Sequence, residues 1–434
     1  PKCIQLNEFK FREWLLVNSE AISKTTQPCW PRMIALVDMN SFFASIEQLD
    51  QPELFGRPIA VTNGYQGTCI ITCSYEARYW GIKTGMRLKQ AKKLCPELIQ
   101  RPSRPKRYAE ISTKIMHGLK NITPDVEVYS VDEAFLDMTH CQKIIKSPET
   151  VAKEIKELIF ELSDLSCSIG VSGDKTTAKY AAKQNKPDGL TIIPPEKAEE
   201  ALQAVPVTEL CGIAKGIGGF LNTHGVYTCG DMKKIPISVL GQRFGNPGRR
   251  IWLMAQGKDP ENIATCIAGP KSMGHGKVMP PNTRDKQTIL VYLQHMSEKV
   301  GARLRRHDLQ ASRFFIGIRS QYGWISSKMQ TEYPTNDGQQ IMQLCHNLID
   351  QQWHDQGISQ IQVTAMNPRQ WNQQLSLFEN SQQEISCNNK NRIMDAINQR
   401  YGDLTIAPAN LLHRSSMPDV IAPAWQPHGH RRTV

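Results

Sequence analysis

The chain has no run of about 18 apolar residues, the least a membrane-spanning helix needs, so no span is expected. It has no Cys-x-x-Cys pair. The closest of its 12 cysteines are Cys69 and Cys73, and no histidine stands at ligand spacing beside them. That argues against a zinc site or a disulfide framework and for reduced, mostly buried thiols in a cytoplasmic protein. The N-terminal PKCIQLNEFKFREW lacks the apolar core of a secretory leader. No internal repeat is visible. What the chain does have is positive charge: 52 Lys plus Arg against 41 Asp plus Glu, a net +11. Such a surplus favours a polyanionic partner, nucleic acid or an anionic membrane, though a merely soluble basic surface has the same sum. Hydrophobic content of 40% and charged content of 21% are those of a globular protein. At roughly 100–200 residues per domain, the length suggests about three domains.

Short apolar runs alternate irregularly with helical patterns, which predicts an α+β fold. MIALVDMN, residues 33–40, reads as a buried strand that delivers Asp38 at its end. SFFASIEQL follows with helical spacing, Ser41 as N-cap and Phe42, Phe43, Ile46 and Leu49 on one face. RPIAVTN and GTCIITCSYEARYWGI read as strands, RLKQAKKLCPEL and KRYAEISTKIMHGLKNI as helices, and DVEVYSVDEAFLDM as a hairpin. A helix capped at Ser147, with Pro148 at its first position, precedes the strand SCSIGVSG and the helix KTTAKYAAKQNKP. Glycine-separated short helices come next, and residues 257–282 read as a Gly/Pro-rich linker. A long basic helix, TILVYLQHMSEKVGARLRRHDL, opens a second α/β unit with strands ASRFFIGIRS and QIQVTAMNP around the helix DGQQIMQLCHNLIDQQW. A Gln/Asn/Ser-rich exposed linker and a short helix, RIMDAINQRY, follow Pro368.

The chemistry concentrates in SVDEAFLD. Burying an unpaired carboxylate costs several kcal/mol or protonates it, yet Asp132 and Glu133 stand side by side in an apolar run. With Asp38 they make a hard-oxygen set suited to Mg²⁺, and two such ions would support phosphoryl transfer. Adjacent strand residues point to opposite faces, so both acids reach one site only where the strand bends or ends. The bland alternative is a hairpin with solvated acids. Tyr75, Arg78 and Lys186 suit a triphosphate, although each cation is also at home on a surface. Phe43 suits a position under a bound sugar or in an ordinary core.

VDMNSFFASIE, SYEARYWGIKTGM, SVDEAFLD and NKPDG occur in the order and at about the spacing of the Y-family DNA polymerases. Over Met33 to Pro368 the chain resembles that family, and within it the bacterial group that includes DNA polymerase IV and the catalytic subunit of DNA polymerase V. The resemblance implies an error-prone polymerase that copies past damaged bases. Its fold would be a right hand: palm at 33–49 and 105–193, small fingers at 50–104, helical thumb at 194–262 and α/β little finger at 271–368. Asp38, Asp132 and Glu133, with the backbone carbonyl of Met39, would hold two Mg²⁺ ions. Phe42, Phe43, Tyr75, Arg78 and Lys186 would contact the deoxynucleoside triphosphate, Phe43 as the steric gate against a ribose 2′-hydroxyl.

The resemblance implies primer-template DNA as a partner and no membrane. LCGIAKGIGGFL resembles a helix-hairpin-helix, with Ala214 where a second glycine is usual, and would grip phosphates through backbone amides. Arg303, Arg305 and Arg306 would follow the DNA backbone, or simply line a solvated helix. QLSLF resembles a sliding-clamp peptide, in which Gln374, Leu375, Leu377 and Phe378 would dock, within a linker at 369–387. An accessory subunit or recombinase is a partner of the DNA polymerase V branch. Residues 1–32 precede the usual start and read as an added arm or a start-site artefact; the tail at 388–434 has no assigned role. The rivals are a catalytically inactive DNA- and clamp-binding adaptor of the same fold and, more distantly, a palm-type nucleotidyl cyclase.

Overall fold

A computed structural model describes residues 30–65, 68–142, 144, 147–266, 269–370 and 381–413. In chain order these form β1 (Ile34–Met39), α1 (Phe42–Asp50), β2 (Ile59–Thr62), β3 (Ile70–Cys73), α2 (Tyr75–Tyr79), α3 (Leu88–Leu94), β4 (Ile99–Pro102) and α4 (Pro105–Leu119). Next come β5 (Val126–Val128), β6 (Glu133–Asp137), α5 (Pro148–Ser163), β7 (Cys167–Ser172), α6 (Lys175–Gln184) and β8 (Leu190–Ile192). Helices α7 (Ala198–Leu202), α8 (Lys215–Thr223), α9 (Ile237–Phe244) and α10 (Asn246–Met254) follow. The chain continues through β9 (Ser272–Thr283), α11 (Lys286–Arg306), β10 (Leu309–Ser320), β11 (Gly323–Thr335), α12 (Gly338–Gln352), β12 (Ile358–Met366), β13 (Arg369–Gln370) and α13 (Ser381–Tyr401). The architecture is α+β, and among the described residues no helix is long and apolar enough to cross a membrane. Two compact units result, one from residues up to Phe42 with Ile111–Thr265, the other from Phe43–Glu110 with Cys266 onward.

The first unit is built on a five-stranded sheet in the order β5-β6-β1-β7-β8. Its central strand, β1, is buried at all six positions, as its apolar run requires. Helix α6 packs on β7 and β1. A Cβ on Gly170 would come within 2.2 Å of the Ala178 carbonyl, so only glycine lets this helix settle so low on the sheet. The short helices α7 to α10 share a second core around Leu202, Leu221, Leu240 and Ile251, against which Tyr180 of α6 packs.

The second unit holds a three-stranded sheet, β3-β2-β4, and a larger antiparallel sheet whose main four-strand path is β11-β10-β12-β9, with the short β13 as a fifth strand paired to the start of β10. Phe314, Ile316, Ile361 and Val363 of the larger sheet share one core with Ile289, Leu293, Leu344 and Leu348 of α11 and α12.

Several expectations need correction. The 257–282 linker is shorter, because β9 begins at Ser272 and pairs with β12. Met273, His275, Lys277 and Met279 alternate inward along it, and its glycines and prolines are tolerated on an edge strand. Residues 75–79 are helical, not extended, since Ser74 caps them by accepting the Ala77 N–H. Ser41 is no such cap: its buried hydroxyl has no hydrogen-bond partner among the described residues. Leu49 is exposed, and Glu47 takes its place on the buried face of α1. Strand β11 escaped the sequence reading, and the last residues of the 369–387 linker belong to α13.

The tail at 388–434 has a structural role where it is described. Asp395 of α13 takes both Arg305 Nε and Nη2, at 2.6 and 2.8 Å, and Leu411 is fully buried in contact distance of the α11 layer. Leu411→Ala is therefore expected to cost about 2–3 kcal/mol, from lost burial plus the cavity left behind. Chemical denaturation of the two proteins measures it, and an unchanged midpoint would mean the tail does not hold this core.

Candidate active site

Asp38 lies at the end of the buried strand β1, directly opposite Glu133 in the antiparallel register. The Met39 N–H donates to the Asp132 carbonyl at 2.9 Å, one step further along. Strand β6 begins only at Glu133, so Asp132 sits in the bend before it, where strict alternation of side chains no longer applies. Ser130 closes this bend. Its hydroxyl donates to Asp132 Oδ1 at 2.6 Å and stands 3.4 Å from Glu133 Oε2. The adjacent acids thus converge on one hydroxyl, which excludes the solvated hairpin.

Burial drives the Asp38 pKa up to about 6, helped by the charges of Glu133 and Asp132 and opposed by Lys186. Burial also raises Asp132, against the Ser130 hydrogen bond. Two lysines supply counter-charge: Lys186 lies 2.5 Å from Asp38 Oδ1, and Lys179 lies 2.5 Å from Glu133 Oε1. Burial works against the Lys179 ammonium, yet the charge of Glu133 holds its pKa above the ordinary lysine value.

Among the described residues, no group of three His, Cys, Asp or Glu side chains stands ready-arranged around a metal. As they stand, Asp38 and Glu133 form ion pairs with lysine and Asp132 accepts the Ser130 hydroxyl. The donor chemistry still fits a hard divalent cation: three carboxylates face two ammonium groups, and burial, helped by the neighbouring acids, pushes Asp38 and Asp132 toward protonation.

The other expected residues are placed as follows. Met39 ends β1, and Phe42 is buried at the start of α1. Phe43 belongs to the second unit, where its ring stacks on Tyr108 with centroids 4.3 Å apart and planes 14° from parallel. Tyr75 and Arg78 share α2 in that unit, the guanidinium 4.7 Å from the ring centre. Gln374, Leu375, Leu377 and Phe378 lie outside the described residues. Ala214 adopts extended backbone, which any residue accepts, while the neighbouring position with φ +87°, Gly212, does hold glycine.

Sequence reasoning missed Lys179 and Glu47. The Glu47 carboxylate is wholly buried, 2.8 Å from Arg104 Nε and 3.4 Å from Arg101 Nε, and accepts the Tyr108 hydroxyl at 2.7 Å. Asp50, one turn on, pairs with Arg104 and Arg107. The available signal was the arginine spacing in RPSRPKR, which suits a row of acids on one helix.

Of the three α11 arginines, Arg306 is exposed, while Arg303 and Arg305 have partners within the protein. Arg303 donates to the Gly274 carbonyl at 2.6 Å, and Arg305 is held by Asp395 and the Asn336 carbonyl. The larger sheet also has a face away from α11 and α12, where Arg313, Phe315 and Arg319 of β10 stand in register with Gln330, Lys328 and Trp324 of β11.

Family models described as impB/mucB/samB family and impB/mucB/samB family C-terminal domain match residues 37–183 and 270–377. The chain belongs to this family, the Y-family DNA polymerases. Relatives include the DNA polymerase IV of Moorella thermoacetica, 32% identical over 389 residues, covering 86% of this chain and 94% of that protein. The DNA polymerase IV of Bacillus velezensis is 31% identical, covering 86% and 91%. A solved Y-family DNA polymerase chimera superposes with a TM-score of 0.67 at 27% identity, covering 77% of this chain and 98% of its own.

The charge balance makes a prediction. Asp38 has a folded pKa of about 6 against an ordinary 3.8, so its ionised form costs stability above pH 6, and the cost fades as pH falls through that range. In metal-free buffer above about pH 7, Asp38→Asn is expected to stabilise the protein by about 1–3 kcal/mol, and by much less near pH 4. Denaturant melts across pH measure this; a variant less stable than the wild type at neutral pH contradicts it.

Proposed function

We propose that this chain is a low-fidelity, template-directed DNA polymerase that extends primers past damaged bases by a two-metal mechanism. The observation that carries the reading is the register of Asp38 against Glu133 with Asp132 bonded beside it, which gathers three acids at one end of a buried sheet. Asp38, Asp132 and Glu133, with the Met39 carbonyl, would hold two Mg²⁺ ions. Bound there, the ions would activate the primer 3′-hydroxyl and neutralise the leaving pyrophosphate. Lys186, now paired with Asp38, exchanges that carboxylate for a phosphate of the incoming nucleotide. Tyr75 and Arg78 hold the same triphosphate, as the family resemblance assigns them, with Phe42 beside the gate. Phe43 excludes the ribose 2′-hydroxyl, and its stack on Tyr108 keeps the ring from yielding.

The proposed hand has its palm on the five-stranded sheet of the first unit, fingers on the three-stranded sheet, thumb in α7 to α10 and little finger on the larger sheet of the second unit. Primer-template DNA lies against the α8 hairpin amides and the Arg313, Arg319 and Lys328 face, so binding weakens with salt. Gln374, Leu375, Leu377 and Phe378 dock on a sliding clamp. The adaptor reading draws support from the lysine pairing of Asp38 and Glu133 in place of a convergent cradle.

Primer extension with Mg²⁺ separates the two. Asp132→Ala is expected to lower extension at least about 10³-fold while leaving DNA binding intact, since a metal ligand is lost and the phosphate contacts are not. Wild-type protein inert on every template, damaged or undamaged, would favour the adaptor. A second prediction concerns sugar choice: Phe43→Ala is expected to raise ribonucleotide incorporation by about 10²-fold or more, through lost steric exclusion worth roughly 3 kcal/mol. Unchanged selectivity in steady-state kinetics with paired ribo- and deoxynucleotides would remove Phe43 from that role.

A further inference from the structure

Building on that metal-dependent reading, we infer that Lys179 is a positioning residue that aims Glu133 at the cation site. The lysine takes only one of the two carboxylate oxygens, Oε1, at 2.5 Å. The other, Oε2, lies 3.4 Å from the Ser130 hydroxyl that donates to Asp132 Oδ1. One oxygen is therefore anchored to α6 and its partner faces the side of the neighbouring acid. A glutamate fixed in this way has little rotamer freedom left to lose when a cation binds.

The anchor is itself fixed. The Lys179 ammonium lies 4.4 Å from the centre of the Tyr129 ring, and Tyr129 packs edge-on against buried Phe135. One turn back, Lys175 grips both oxygens of Glu127 at 2.9 and 2.8 Å. Thr176 donates to buried Asp259 at 2.7 Å, and Asp174 caps the helix by accepting the Thr177 N–H at 2.9 Å. With Gly170 holding α6 close to the sheet, the helix has no room to carry Lys179 away. Lys186 differs: its side chain is 24% exposed against 12% for Lys179, and it lies past the end of α6. It is the lysine free to leave its carboxylate, while Lys179 stays.

A lysine beside a cation site invites the opposite expectation, that it merely competes for the carboxylate, so that its removal tightens binding. The geometry argues against competition, because the oxygen on the side of Asp132 is the one that the lysine does not take. Partners of ligating side chains typically matter 10- to 100-fold to metal affinity.

The test is direct Mn²⁺ titration of the full chain after EDTA treatment, without DNA or nucleotide, read by the paramagnetic resonance signal of free Mn²⁺. Wild-type protein is expected to bind, and Asp132→Asn to lose that binding. Lys179→Met is expected to weaken binding about tenfold or more, with most of it recovered in Lys179→Arg. A purely structural role would lower the metal-free melting temperature in step with affinity; positioning lowers affinity in a variant that melts like the wild type. Should Lys179→Met not fold, Tyr129→Leu, which removes the ring beneath the ammonium, carries the same expectation of weaker binding. Affinity unchanged or tightened in the folded variant overturns the role of Lys179 and leaves the metal reading standing. Failure of the wild type to bind Mn²⁺ overturns both.

Discussion

Burial of neighbouring carboxylates at the end of an apolar strand is the constraint around which the first unit is organised. Burial disfavours the ionised forms of Asp38 and Asp132, and nearby cations offset part of that cost. The fold supplies two, and both come from the α6 segment and the turn after it. The requirement reaches further. Helix α6 brings Lys179 to Glu133 because it lies low on the sheet over Gly170, and it lies there with its first turn tied to Asp259 and its Tyr180 in the adjoining helical core. Burial still leaves the pKa values of Asp38 and Asp132 raised. Stability given up in this way is common where a site must accept further positive charge.

The carboxylates were legible because their signal is local. A short apolar run ending in Asp38 and an acidic pair inside a second run are visible without knowing what touches them. Their partners were not legible. Lys179 reaches Glu133 across 46 positions and Tyr108 reaches Glu47 across 61, and no periodicity links residues so far apart. Glu47 was hidden for a second reason: a charged residue on a helix is read as its wet side, and Leu49 looks the better core residue. The fold's misreadings also have a physical cause. Strand β9 has the glycines and prolines of a loop because it pairs on one side only, and β11 has polar residues along a face that no helix covers. Both are edge strands, for which a rule built on interior strands fails.

Net charge does not say which cations are already paired within the protein. The basic end of α11 is where the family resemblance implies a phosphate contact. Arg303 and Arg305 there instead satisfy the Gly274 and Asn336 carbonyls and the Asp395 carboxylate. An arginine held this way rigidifies the protein and is less available to a phosphate. The surplus available to a polyanion is what remains after such internal pairs are removed, and on the larger sheet of the second unit it lies with Arg313, Arg319 and Lys328.

Glu47 poses the opposite problem from Asp38. It is wholly buried, and burial of an ion pair rarely stabilises a fold over an apolar replacement. Its worth lies in what it fixes. Arg104 and Arg101 hold the carboxylate, the carboxylate holds the Tyr108 hydroxyl, and the Tyr108 ring lies flat against Phe43. On the polymerase reading, a gate discriminates by refusing to move, because a ring that tilts by a fraction of an ångström admits the extra hydroxyl. An apolar contact is non-directional and lets a ring slide, whereas a chain of charge-assisted hydrogen bonds fixes distance and angle together. A buried glutamate behind a tyrosine behind a phenylalanine is therefore intelligible as stiffness, obtained at some expense in stability.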